Sequence, residues 1–194
     1  MSKNYELSRP LPPNVQRAAA ILRFAGNIGF WIQLVLGVLA AALLFLSIAG
    51  LITQQKASQG TGFSIFCSTA GVLCLVISIL ICFRYKKIAD LMQSGNVEQR
   101  PKKTTTIQTV RLGLSSNLIG IFFSIIGAEG FIGILWSKFS NIPQGAAVYD
   151  TSKLPTPNEI LLLLANTHTI LCHFAGIVVS LWLLDRLNHI NRQV

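Results

Sequence analysis

Four unbroken apolar blocks constrain this chain more than any other feature. They run over 28–51 (IGFWIQLVLGVLAAALLFLSIAGL), 63–83 (FSIFCSTAGVLCLVISILICF), 113–136 (GLSSNLIGIFFSIIGAEGFIGILW) and 160–184 (ILLLLANTHTILCHFAGIVVSLWLL). Each meets the length of about 20 residues that a helix needs to cross roughly 30 Å of hydrocarbon. None shows the period-two alternation of a barrel strand, and an unsatisfied backbone group in lipid costs several kcal/mol, so helices are the remaining solution. The rest of the composition agrees: only 12% of the 194 residues are charged, about half of what a soluble domain carries. The sequence predicts an all-α integral membrane protein, a four-transmembrane-helix bundle. Residues 1–13 form a flexible arm, 14–194 the four-span domain, and 84–112 a basic loop within it.

Charge sets the expected orientation. Of the sixteen Lys and Arg residues, thirteen fall on one side: Lys3, Arg9, Arg17 and Arg23 in the arm, Arg84, Lys86, Lys87, Arg100, Lys102, Lys103 and Arg111 in the basic loop, and Arg186 and Arg192 in the tail. Only Lys56, Lys138 and Lys153 lie on the other. The positive-inside rule then puts both termini and the long loop in the cytoplasm, or in the stroma of a plastid. The net charge of +9 is therefore first a topology signal. It predicts no nucleic-acid partner, because no stacking aromatics interleave with the charge. The loop residues Arg84, Lys86, Lys87, Arg100, Lys102 and Lys103 offer a surface for anionic lipid head groups or a partner.

The segments between spans carry their own signals. Pro10, Pro12 and Pro13 oppose a helix before Asn14, which suits an N-cap. The segment from Asn14 onward then forms an interfacial helix or extends span 1. RYKKIADLM extends span 2 to about Met92, with a stop at Ser94-Gly95-Asn96; Pro101 marks a linker, and helix resumes near Thr104–Thr106. No cleavable signal or transit peptide is expected at the N-terminus. Asn27 and Gly37 in span 1 recur as Asn117 and Gly127 in span 3 at the same spacing, a hint of a tandem two-helix repeat.

Polar and small residues inside the spans are the candidates for function. Gly113, Gly120 and Gly127 recur every seven residues, and Gly176 and Ser180 continue a similar stripe in span 4; small residues let membrane helices approach closely. Asn166, Thr169 and His173 share the span 4 face that leads to Gly176. His168 lies five residues before His173 and so points about 140° away from it. Glu129 is the single acidic residue well inside a predicted span, and an intramembrane carboxylate needs a partner or a proton. In adjacent antiparallel helices Glu129 and His168 reach similar depth, and with His173 or Cys74 they offer O, N and S ligands to a divalent metal. Gln33 and Asn117 form a second candidate pair. The four cysteines all lie within spans and read as small buried hydrophobes. No hydrolase, kinase or nucleotide-binding motif is present, so an enzyme is not expected, and no bound cofactor is expected beyond a transported iron.

Three stretches carry a resemblance: GFWIQLVLG (29–37), NLIG (117–120) and AN-x-x-x-x-L-x-H-F-x-G (165–176). They resemble a four-span family of cyanobacteria and plastids. Its plant members are described both as a 21-kDa inner-envelope subunit of the Tic protein-import translocon and as "permease in chloroplasts". The resemblance covers about residues 14–190 and implies a role in iron homeostasis, protein import or both. It also implies a cyanobacterial plasma or thylakoid membrane location for a chain without a transit peptide. Glu129 lies outside the matching motifs. Two readings follow. One is a permease-like protein for iron or another divalent metal, lined by His173, Asn166, His168 and Glu129 and working as a homo-oligomer. The other is a non-transport factor for inserting or assembling membrane complexes such as photosystem subunits. A transporter should open a hydrated path to His173; an assembly factor should be a dry bundle with an exposed docking face.

Overall fold

The computed structural model describes residues 11–54, 60–94, 100–141 and 154–192. They form four helices: α1 (Pro13–Gln54), α2 (Thr61–Gln93), α3 (Lys103–Ser140) and α4 (Pro157–Arg192). Residues 1–10 of the expected arm lie outside the described residues, as do 95–99 of the basic loop and 142–153 of the loop between α3 and α4.

The helix ends follow local chemistry. α1 begins one residue before the expected cap: Pro13 is the first helical residue, and the Pro12 carbonyl accepts from Val15 N at 2.9 Å and Gln16 N at 3.2 Å. Proline is preorganised for the first helical position, where its missing N–H costs nothing, so Asn14 is already inside the helix. Gly60, at φ 95°, turns the chain into α2. At the start of α4, Thr156 and Glu159 form a reciprocal capping box: Thr156 N donates to Glu159 Oε2 at 2.8 Å, and Glu159 N to Thr156 Oγ1 at 3.4 Å. Most of the expected basic loop is helical. Arg84, Lys86 and Lys87 ride on the last turns of α2, Lys103 opens α3, and Arg100 and Lys102 lie just ahead of it.

Each helix outlasts its apolar block at the end that carries Pro13, Gln93, Lys103 and Arg192, here termed the terminal end. α1 alone has 42 residues, about 63 Å at 1.5 Å per residue, twice the hydrocarbon thickness. Beyond the blocks the bundle keeps a core of its own, where Ala19, Leu22, Ile88, Ala89, Met92, Val110 and Leu187 pack together. A smaller core of Leu44, Phe131, Leu162 and Ala165 closes the opposite, loop end.

The helices pack in the order α1–α2–α3–α4–α1, with α2 also touching α4 across the diagonal. Neighbours run antiparallel: along α2–α3, Gly113 faces Tyr85, Gly120 faces Cys74 and Gly127 faces Ser68. The surface inverts soluble logic. Phe45, Ile52, Phe66, Phe122 and Trp136 point outward, more than half exposed, while Gln33, Ser78, Asn117, Ser124, Asn166 and His173 are buried. An apolar exterior round a polar interior is what a lipid solvent selects, and all four helices are long and apolar enough to cross a membrane. The residues of the suggested repeat differ in setting: Asn117 is buried and Asn27 is exposed.

Candidate functional site

All four helices contribute to one polar node in the middle of the bundle. Gln33 comes from α1, Ser78 and the Gly71 carbonyl from α2, Asn117 from α3 and His173 from α4. None of the four side chains is more than 2% exposed. Asn117 is the hub. Its Nδ2 donates to Ser78 Oγ at 2.7 Å and to the Gly113 carbonyl at 2.9 Å. Its Oδ1 accepts from Gln33 Nε2 at 2.9 Å and faces His173 Nδ1 at 3.0 Å. Ser78 Oγ in turn donates to Gln33 Oε1 at 3.0 Å. The expected Gln33–Asn117 pair is thus part of a larger ring.

The glycines make room for this ring. A Cβ at Gly120 would fall on the His173 ring, and one at Gly176 would fall on Gln33 Nε2 and within 2.6 Å of the Asn117 amide. Gly113 likewise faces the Tyr85 hydroxyl. The small-residue stripes therefore accommodate polar side chains as well as neighbouring helices.

His173 has an informative environment. Its Nε2 lies 3.1 Å from the Gly71 carbonyl, which can only accept. Its Nδ1 faces Asn117 Oδ1. The Asn117 amide cannot simply be reversed, because its nitrogen must face the Gly113 carbonyl. Both ring nitrogens thus meet acceptors. A neutral imidazole donates to one of them at a time; only a ring carrying two protons donates to both. One proton on His173 therefore adds or removes one hydrogen bond between α4 and its neighbours.

Toward the loop end the polar interior continues along α2, α3 and α4 through Ser124, Thr169, Ser68, Asn166, Ser64 and Thr61, all buried. Three buried oxygens here have no hydrogen-bond partner among the described residues: Thr61 Oγ1, Ser64 Oγ and Asn166 Oδ1. Beyond them, Lys138 of α3 pairs with Glu159 of α4, whose side chain is 1% exposed.

The sequence-derived residues separate into two groups. His173 lies in the node, with Cys74 half-buried beside Gly120, which also faces the His173 ring. Asn166 is seven residues away, about 10 Å along the helix; its Nδ2 donates to the Leu162 carbonyl at 3.2 Å. His168 stands off the node, its Nδ1 2.9 Å from the Leu164 carbonyl of its own helix. Glu129 is on the exposed face of α3, since two positions past buried Gly127 turn a side chain about 200°. Among the described residues Glu129 and His168 form no ion pair, and no three His, Cys, Asp or Glu side chains gather as a metal site.

Two groups escaped the sequence reading. Ser78 belongs to a small-residue stripe, Ser64, Ser68, Gly71 and Ser78, stepping by four, three and seven along α2. The T-x-x-E pattern just before span 4 signalled the capping role of Glu159, but not its Lys138 partner.

Replacing Asn117 with Leu removes three interhelical contacts, to Gln33, Ser78 and His173. At roughly 0.6 kcal/mol each, the expected loss is about 2 kcal/mol, read as a lowered midpoint of thermal unfolding in detergent.

Four lipid-facing helices around a buried polar ring define a multi-pass membrane helix bundle. The chain belongs to the family described as "Protein of unknown function (DUF3611)", whose model matches residues 12–188. It is similar to "Protein TIC 21, chloroplastic" of Arabidopsis thaliana, with 25% identity over 175 residues covering 88% of this chain. The matched region spans 57% of that relative's length. No solved structure matches the chain.

Proposed function

We propose that this protein is a non-enzymatic helical subunit of a membrane complex that inserts, translocates or assembles other proteins. The observation that carries the reading is the sealed node: Gln33, Asn117 and His173 are at most 2% exposed and spend their polar groups on one another. A single copy then offers partners its outer faces, such as the α3 face bearing Ile119, Phe122 and Trp136. Similarity to a protein named for the chloroplast Tic system supports a translocon-type role. On this reading both termini lie on the cytoplasmic or stromal side, the orientation that the charge distribution favours. The setting is a cyanobacterial plasma or thylakoid membrane, corresponding to the plastid inner envelope of plant relatives.

The test is site-specific photo-crosslinking in native membranes with the probe at Phe122 or Trp136. The expected adducts contain subunits of the complex, which persist, or client proteins, whose adducts disappear when protein synthesis stops. Adducts with lipid or a second copy alone, unchanged when synthesis stops, contradict the reading.

A second reading, permeation of iron or another divalent metal through an oligomer, is favoured by one observation. The unpartnered oxygens of Thr61, Ser64 and Asn166 form a polar seam leading from the loop end toward His173. Saturable iron or manganese uptake into proteoliposomes, lost in a His173→Ala, Asn166→Ala double variant, would establish it in place of the first. Uptake equal to the leak of protein-free vesicles removes it.

A further inference from the structure

Two grooves lie on the same α1–α2 seam. The first, about 630 Å³, is at the terminal end and is lined by Arg23, Asn27, Ile28, Lys86 and Asp90 among others. The second, about 270 Å³, lies deeper and is wholly apolar, with Leu34, Gly37, Ala41, Val72, Val76 and Leu80 in its walls. From Asn27 to Ala41 in α1, and from Lys86 back to Val72 in α2, each helix advances about 21 Å. The two grooves therefore lie in line along an antiparallel pair, with the Phe30 and Phe83 rings, 4.4 Å apart, on the seam between them. The apolar blocks begin at Ile28 and end at Phe83, so the first groove sits at head-group level and the second within the adjoining leaflet, about 15 Å deep.

The charge at the head of the seam is unbalanced. Arg23 pairs with Asp90. Lys86 has no carboxylate partner among the described residues. Its position is nevertheless fixed. A Cβ at Gly26 would stand 3.2 Å from Lys86 Cγ, so the glycine lets the lysine stem lie against α1. The Lys86 ammonium then rests 4.7 Å from the centre of the Phe30 ring and 5.7 Å from that of Phe83. One net positive charge held over a lipid-facing apolar groove matches one molecule with an anionic head and a long hydrocarbon tail.

We propose that the α1–α2 seam binds a single anionic phospholipid of the surrounding bilayer. Its phosphate lies on Lys86 beside Arg23, and one acyl chain lies along Gly37, Ala41 and Val76. The site is independent of the polar node and of any client protein.

Native mass spectrometry of the detergent-purified protein tests this, using phosphatidylglycerol and phosphatidylcholine with identical chains. Wild type is expected to hold one phosphatidylglycerol about fivefold more tightly than phosphatidylcholine, the factor that a single cation near a head group supplies. Lys86→Gln should reduce phosphatidylglycerol to the phosphatidylcholine level, Lys86→Arg should retain the preference, and Val76→Trp, which fills the groove, should weaken both lipids. Glycerol phosphate without acyl chains should not displace the lipid. Equal retention of the two lipids by wild type, an unchanged preference in Lys86→Gln, or an adduct confined to dimers would overturn the assignment.

Discussion

Gly120→Ala is expected to destabilise the bundle by about 3 kcal/mol, the upper part of the usual range for overpacking. The added methyl would fall on Cε1 and Nε2 of His173 and 2.9 Å from Cys74 Cβ. Neither neighbour can yield easily. The ring is held between Asn117 at 3.0 Å and Gly71 at 3.1 Å, and Cys74 Cβ is fixed to the α2 backbone. Relief requires the ring to leave the node, which breaks the tie between α4 and α2–α3. Gly133→Ala and Gly62→Ala are the matched controls, since a Cβ at either position meets nothing within 4 Å. Both should leave the unfolding midpoint unchanged or raise it slightly, because alanine is the better helix former. A Gly120→Ala protein as stable as wild type would mean that the His173 ring does not occupy the gap on α3.

Lys138→Met should cost about 3–5 kcal/mol, the range seen when one member of a buried ion pair is removed. Glu159 is almost fully enclosed, and the Lys138 side chain is 19% exposed. Without the ammonium, the carboxylate keeps only the Thr156 N–H, and it stands at the mouth of a lipid-enclosed bundle. The double variant Lys138→Met, Glu159→Gln should recover most of the loss. Glutamine carries no charge to strand and still serves the capping box. Unfolding in detergent distinguishes these outcomes. A single variant no worse than the double would show that water reaches Glu159.

Much of this architecture is written into the sequence. The apolar blocks gave the helices because the lipid solvent leaves few other ways to satisfy a backbone, and Ser94 and Pro101 marked the end of α2 and the approach to α3 within a few residues. The Asn166, Thr169 and His173 stripe was legible because it depends only on helical periodicity. What periodicity cannot supply is the register between helices. Glu129 and His168 reach comparable depth, yet one helical step of two residues turns Glu129 away from the face that carries Gly127. Ser78 is an ordinary serine until Asn117 is placed opposite it. Glu159 lay one residue outside the apolar block, so its burial depended on where α3 ended and brought Lys138. The length of α1 was ambiguous for a related reason: its alanine-rich start suits both an interfacial helix and the packed extension that Leu22, Ile88 and Leu187 complete.

The central claim is that the node is closed to water within a single copy, and two native thiols report on it directly. Cys82 Sγ lies 3.7 Å from Gln33 Oε1, Cys172 precedes His173, and both cysteines are buried. The measurement is mixed-disulfide formation on the reconstituted protein by a charged, membrane-impermeant methanethiosulfonate applied from each side, with modified sites counted by mass spectrometry. The account predicts that Cys82 and Cys172 stay unmodified from both sides while the same residues react fully after denaturation. Rapid modification of either thiol in the folded protein would contradict it and place an aqueous path at His173.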